Sequence, residues 1–335
     1  MPGADKPARP AIDPVRWQPP PTAPLPEFGA VELTVVALPG DAPEDIVVDD
    51  DGMIWTGLAD GRIVRIDPDG RVRVVGDTGG RPLGLAVARD DRLLICDSPR
   101  GLLAMDVDTG RIEVLVDCVD GRKLTFCSNV VELDDGTIYF TQSTAKFSYA
   151  NFKAAIFEAR GDGGLFRRDP GGAVTQVLDN LYFANGLTLT ADGSALVFAE
   201  TQARRLSKYW LSGPAADTVT PLAVHLPGMP DNISTGSDGR IWCAMVTPAN
   251  AAADWLAPRA PLLRKALWRL PERLQPQIEP VVWAVAFDPD DGAAVAGLQM
   301  TRSDFGVVTG LVEHRGELWM SSIGFPAVAH CPLPS

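Results

Sequence analysis

Ile46-Val47-Val48, a turn at Asp51-Gly52, then Met53-Ile54-Trp55: this stretch decides the fold. Two short apolar runs around Asp-Gly form a β-hairpin, because the glycine supplies the positive φ that such a turn requires. The unit returns five more times. Leu85-Ala86-Val87 leads through Asp90-Asp91 to Leu93-Leu94-Ile95, and Val130-Val131-Glu132 leads through Asp135-Gly136 to Ile138-Tyr139-Phe140. Leu187-Thr188-Leu189, Asp192-Gly193 and Leu196-Val197-Phe198 make the fourth copy. Ile233-Ser234-Thr235, Asp238-Gly239 and Ile241-Trp242 make the fifth. Leu311-Val312-Glu313, Arg315-Gly316 and Leu318-Trp319-Met320 make the sixth. A third strand and often a fourth follow each copy, as in 61–66 and 71–75. Six four-stranded units predict an all-β six-bladed β-propeller, whose closure removes the long exposed edges of an open sheet. A β-sandwich does not account for six copies of one hairpin.

Residues 1–28 are proline-rich, with Pro19-Pro20-Pro21 and no apolar periodicity, so they read as an extended arm, wrapping or disordered. The propeller is then 29–335. Two spacings between copies are long. One insertion lies between Phe140 and Leu165. The other, between Met245 and Val281, has helical periodicity around Trp255 to Leu270 and predicts a small helical insertion. Insertions in a propeller decorate one face, so these two are expected either as a lid over the channel mouth or as edge packing.

Composition narrows the function classes. Across 335 residues, 43 acidic and 30 basic side chains give a net charge of −13, which disfavours nucleic acid. The densest basic segment, Arg264-Lys265 to Arg269 and Arg273, is interleaved with Leu and Trp and reads as one short amphipathic helix. Five scattered cysteines without a Cys-x-x-Cys pair argue for buried thiols in a reducing compartment. No run approaches the roughly 20 apolar residues of a membrane span, and the first residues lack a signal-peptide core. The expectation is a cytoplasmic protein whose partner is a small molecule, with the oligomeric state open.

Aligned on their turn glycine, with Asp91 standing in for it in the second copy, the six copies share a column seven and eight residues upstream. It reads Glu44-Asp45, Leu83-Gly84, Ser128-Asn129, Asn185-Gly186, Asp231-Asn232 and Val308-Thr309. These positions open the innermost strands, so ring closure gathers them on the axis. Carboxylates and amide oxygens at one level suit calcium, which accepts six to eight oxygen ligands. Zinc calls for His or Cys, and His225, His314 and His330 lie outside the column. Asn and Asp also cap turns, and for any single position that explanation competes.

Pro43-Glu44-Asp45, Phe126-Cys127-Ser128-Asn129, Phe183-Ala184-Asn185-Gly186 and 226–233 resemble the strictosidine synthase-like branch of the calcium-dependent phosphotriesterase superfamily, which also holds paraoxonases and gluconolactonases. The stretches 57–61, 199–201 and 208–214 extend the resemblance, which runs from about residue 10 to the C-terminus. It implies one catalytic calcium per chain on Glu44, Asn129, Asn185, Asp231 and Asn232. Three departures modify the expectation. Leu83 and Ser98 stand where paraoxonases carry a histidine dyad. Thr309 stands where plant strictosidine synthases carry a glutamate. Val130 stands where paraoxonases place an aspartate on a second, structural calcium.

The implied function is a calcium-dependent hydrolase of small esters, a lactonase or arylesterase. The ion polarises the carbonyl, and without a histidine a carboxylate, Asp231 or Glu44, is the base. Leu83, Ser98, Cys127, Phe147 and Thr309 are the expected substrate-pocket residues. Two alternatives stand beside this reading: a strictosidine synthase-like non-hydrolytic enzyme (lyase, condensing enzyme or isomerase), and a ligand-binding propeller with structural calcium.

Overall fold

A computed structural model describes residues 9–259 and 261–334. Six four-stranded antiparallel sheets form the blades of a propeller. The innermost strands are Ile46–Val48, Arg81–Val87, Cys127–Glu132, Ala184–Leu189, Gly228–Thr235 and Val308–His314. In the first five blades the chain then runs outward strand by strand. The sixth takes its outermost strand, Thr34–Ala37, from the other end of the chain, paired antiparallel to Ala327–Pro332. That pairing closes the ring.

Burial follows the position of a strand within its blade. Four of the second strands, Ile54–Gly57, Leu93–Ser98, Ile138–Gln142 and Ala195–Glu200, are buried along their whole length, and the other two at all but one end, because neighbouring blades cover both faces. An outer strand such as Val72–Asp77 is half-buried to exposed throughout. Six apolar layers fill the spaces between successive blades. A seventh cluster, with Leu83, Phe126, Phe147, Phe183 and Trp268, joins the channel mouth to the insertions.

Both insertions are helical and lie over that mouth. The first carries α1, Phe152–Glu158; the second carries α2, Ala251–Leu256, and α3, Pro261–Arg269. The proline-rich arm straps them down. Val15 N donates to the Glu158 carbonyl (3.0 Å), and Trp17 N to that of Ala257 (3.4 Å). Trp268 Nε1 donates to the Pro10 carbonyl (2.9 Å). Arg264, buried inside α3, donates to the carbonyls of Phe157 and Val15 and so ties α3 to both α1 and the arm. The insertions therefore form a lid rather than edge packing.

One expected position moves. Blade six turns over two residues, Arg315 and Gly316, both at positive φ (51° and 80°), between paired His314 and Glu317. Blade five takes three, with Gly236 N bonded to the Arg240 carbonyl across the turn. The shorter turn shifts the column in blade six by one residue, from Val308-Thr309 to Thr309-Gly310.

Candidate metal and active site

The column residues reach the axis through a repeated irregularity. In five blades the inner strand slips register at one level: between Pro82 and Leu85, Cys127 and Val130, Ala184 and Leu187, Pro230 and Ile233, and Val308 and Leu311. Each slip holds two residues: Leu83-Gly84, Ser128-Asn129, Asn185-Gly186, Asp231-Asn232 and Thr309-Gly310. In blade one Glu44-Asp45 directly precede Ile46. A bulge turns side chains out of the normal alternation, which is how a strand aims a pair of residues at a site.

The second residue of each pair alternates around the ring: Asp45, Gly84, Asn129, Gly186, Asn232, Gly310. The glycines make room for their neighbours. A Cβ on Gly84 would meet Asn129 Cα at 2.5 Å, one on Gly186 the Asp231 carbonyl oxygen at 2.5 Å, and one on Gly310 Asp45 Oδ1 at 2.7 Å. The three polar side chains can therefore meet. Asn129 Nδ2 donates to Asn232 Oδ1 (3.0 Å) and, at 3.5 Å, to Asp45 Oδ2.

The first residues form the other layer. Glu44, Ser128, Asn185 and Asp231 line the floor of the cavity under the lid. Asn185 Nδ2 donates to Asp231 Oδ1 and to Thr201 Oγ1 (3.1 Å), and Asn185 Oδ1 accepts from Ser128 Oγ (3.1 Å). The Glu44 carbonyl accepts from Thr309 Oγ1 (2.6 Å) and Ser321 Oγ (2.8 Å), which holds its backbone at the axis. The structure thus gathers Glu44, Asn129, Asn185, Asp231 and Asn232, none more than 6% exposed.

Negative charge is crowded here. Burial pushes the Glu44 carboxyl well above the usual range, reinforced by the charges of Asp231 and Asp45 and opposed by Arg81. Burial carries Asp231 to about 8, against the amide hydrogen bond from Asn185 and with the Asp45 charge adding to the rise. It carries Asp45 to about 7, although the amides of Leu85 and Ile46 both donate to that carboxylate. Glu44 Oε2 is buried and has no hydrogen-bond partner among the described residues.

An orphaned oxygen on a carboxylate that burial and two neighbouring carboxylates push upward suits a hard cation, and the amide oxygens suit it too. Among the described residues no group of three or more His, Cys, Asp or Glu is arranged to hold a metal. The arrangement here is of another kind, two floor carboxylates supplemented by amides, because Asp45 is already occupied by backbone N–H groups.

The cavity above has a volume of about 320 Å³. Phe126, Tyr149, Phe152, Ile156, Phe183 and Met229 make much of its wall, with Trp17 from the arm and Leu256 and Leu267 from α2 and α3. The five expected pocket residues lie behind this lining. Leu83 and Phe147 pack in the cluster that supports Phe126 and Phe183. Cys127 Sγ faces Cys96 Sγ at 3.0 Å, both fully buried. Ser98 Oγ donates to the Thr125 carbonyl (2.7 Å) and accepts from Tyr149 N (3.0 Å), and so places Tyr149. Thr309 holds the Glu44 carbonyl. Sequence reasoning passed over Asp45, although it stood in the column, and Arg81, whose guanidinium lies 4.8 Å from the Tyr149 ring. No local signal marks Arg81; only the ring brings it beside Glu44.

Comparisons with known proteins agree with this architecture. A gluconolactonase from Xanthomonas campestris superposes with a TM-score of 0.67 over 98% of this chain and 99% of its own, at 19% identity. A calcium-binding protein, regucalcin, from Agrobacterium tumefaciens gives 0.65 over 92% and 96%, at 15% identity. In sequence, strictosidine synthase-like 6 of Arabidopsis thaliana is 37% identical over 233 residues, 67% of this chain and 62% of that protein. This chain thus matches about three fifths of that relative's length. Strictosidine synthase-like 3 of the same plant is 31% identical over 323 residues, 87% of this chain and 82% of its own. Residues 43–253 match the SMP-30/gluconolactonase/LRE-like region. With its bulged polar column at the axis of six blades, the chain belongs to the SMP-30/gluconolactonase/LRE-like family, in its strictosidine synthase-like branch.

Proposed function

We propose that this protein is a calcium-dependent hydrolase of small esters, lactones foremost, with substrates that carry a hydrophobic portion. The observation that carries the reading is the cavity floor: Glu44 with an unpartnered buried oxygen beside Asp231, beneath an apolar wall. Glu44, Asn129, Asn185, Asp231 and Asn232 would hold one calcium. When bound, that ion supplies Lewis-acid polarisation of the ester carbonyl and charge for the developing oxyanion.

The chain's own groups do the rest. The aromatic wall holds the hydrophobic portion of the substrate, and the lid and arm keep bulk water from the floor. Asp231 takes the proton from the attacking water and returns it to the alkoxide oxygen that departs as the acyl C–O bond breaks; with a cation held at the floor its carboxylate would stay ionised against the pull of burial. Asn185 orients Asp231 through its amide hydrogen bond. A polyhydroxylated sugar lactone would bury hydroxyls without partners against the wall, whereas an alkyl lactone or aryl ester would not.

The test is a panel of alkyl lactones, aryl esters and gluconolactone, assayed with calcium, after chelation, and after calcium is restored. We expect kcat/KM for the apolar substrates to exceed that for gluconolactone by on the order of tenfold or more, with loss on chelation and recovery with calcium. Activity indifferent to chelator, or a clear preference for the sugar lactone, would overturn the reading. The plant relatives' name supports a second reading, condensation or another non-hydrolytic reaction at the same floor. Product masses decide between them, since hydrolysis adds one water.

A further inference from the structure

The lid is built inside out. In α3 the buried residues are Arg264 and Trp268, while Leu262 is 77% and Leu263 55% exposed. Leu262, Ala266 and Leu270 recur at four-residue spacing, and all three are exposed. They therefore form one apolar stripe facing solvent. Trp255 on α2, at 59% exposure, and Leu274 beyond α3, at 57%, extend the apolar exposure of the segment. Among the described residues, the other exposed large hydrophobics are Val74, Val114, Val219, Val224 and Val295, scattered over four blades. Every exposed Leu or Trp of that size lies within 255–274.

The charge of this segment opposes that of the molecule. The chain carries −13, yet 255–274 holds Arg259, Arg264, Lys265, Arg269 and Arg273 against one acid, Glu272. Arg259, Arg269 and Arg273 are exposed, and Arg259 lies over the Trp255 ring at 4.6 Å. Exposed Leu and Trp bordered by arginines is the composition of a surface that seats in the headgroup region of an anionic bilayer. The acidic remainder of the molecule would be repelled by such a surface, so the charge pattern orients the contact as well as permitting it. The other sides of α2 and α3, through Leu256 and Leu267, line the cavity.

We propose that the outer face of the lid docks on an anionic lipid surface, with Leu262 and Leu263 inserted among the acyl chains and Arg269 and Arg273 on the headgroups. The proposal is independent of the hydrolase reading, since it concerns the face turned away from the cavity.

Sedimentation with vesicles tests it, using full-length protein, neutral phosphatidylcholine vesicles and vesicles containing phosphatidylserine. Wild-type protein should sediment with the anionic vesicles and far less with the neutral ones, and raised salt should release it. The pair Leu262→Asp and Leu263→Asp, both on the solvent side, should lower the partition coefficient by on the order of tenfold or more while leaving the circular dichroism spectrum and the melting temperature in lipid-free buffer unchanged. Arg269→Glu with Arg273→Glu should abolish the preference for anionic over neutral vesicles. Wild-type protein that stays in solution with anionic vesicles, or variants that sediment as it does, would overturn the proposal. So would sedimentation analysis showing that the stripe closes a dimer which the Leu→Asp pair splits, without lipid binding.

Discussion

At the residue scale the site rests on how two carboxylates at the cavity floor are used. Asp231→Asn keeps an oxygen donor and deletes a base. It should retain calcium by isothermal titration and lose turnover by on the order of 10²- to 10⁴-fold. Glu44→Gln removes charge from the donor whose oxygen has no partner, so its main effect should fall on calcium affinity, a loss of about tenfold to a hundredfold. Unchanged turnover in the first variant would move the base to Glu44. The same groups set a pH dependence for the metal-free protein. Burial raises Asp45 to about 7 and Asp231 to about 8, far above an unfolded carboxylate near 4. The folded chain therefore holds more protons than the unfolded chain across that window, and its stability falls as pH rises from about 4 towards 8. Chelated protein should melt progressively lower from pH 5 to pH 8, and added calcium should raise the melting temperature most at the upper end. A chelated protein whose melting temperature climbs across that range would contradict the assignment.

At the scale of elements, the lid depends on Arg264. Its guanidinium bonds Phe157 O in the first insertion and Val15 O in the arm, from the buried side of α3. Burial lowers its pKa, yet an arginine stays charged, so those two carbonyls are what make its placement tolerable. Arg264→Leu should loosen α3 from α1 and the arm at a loss of about 1–3 kcal/mol. Thermal melting reads that loss. Kinetics should show KM for a hydrophobic ester rising more than kcat falls, because the cavity wall is disturbed and the floor is not. The sequence announced an amphipathic helix here and left open which way it would face. The outcome, Arg inward and Leu outward, follows from two carbonyls contributed by segments more than a hundred residues away.

For the whole molecule, stability is a matter of closure. Thr34–Ala37 supplies the fourth strand of the last blade, with Val35 opposite Ala329 and Val36 opposite Val328. Two truncations separate the arm from the closing strand. A chain beginning at Val31 keeps the pairing and should still unfold in one cooperative transition, at lower temperature for want of the strap. A chain beginning at Pro39 leaves blade six with three strands and should lose that cooperative transition, as read by calorimetry. Equal melting of the two truncations would show that the ring does not need this latch.

By itself the sequence determined the blades and the polar column. Hairpin turns and strand alternation are local, so six Asp-Gly-like turns between apolar runs could be counted. A ring turns one column of sequence into one cluster in space, and so Glu44, Asn129, Asn185, Asp231 and Asn232 were legible before any coordinates. The tertiary structure decided what local pattern does not contain. A turn shorter by one residue at Arg315-Gly316 moved the blade-six pair to Thr309-Gly310. The wall of the cavity came from Phe126, Phe183 and the lid rather than from Leu83, Cys127 or Phe147, because which layer of side chains meets the cavity depends on how deeply the insertions pack. Arg81 entered the electrostatics of the site only once the ring had set it beside Glu44, whereas Asp45, next to Glu44 in sequence, entered through its burial at the axis. Strand register and turn type are settled between near neighbours, whereas a cavity wall and a buried charge are settled by contacts between distant segments.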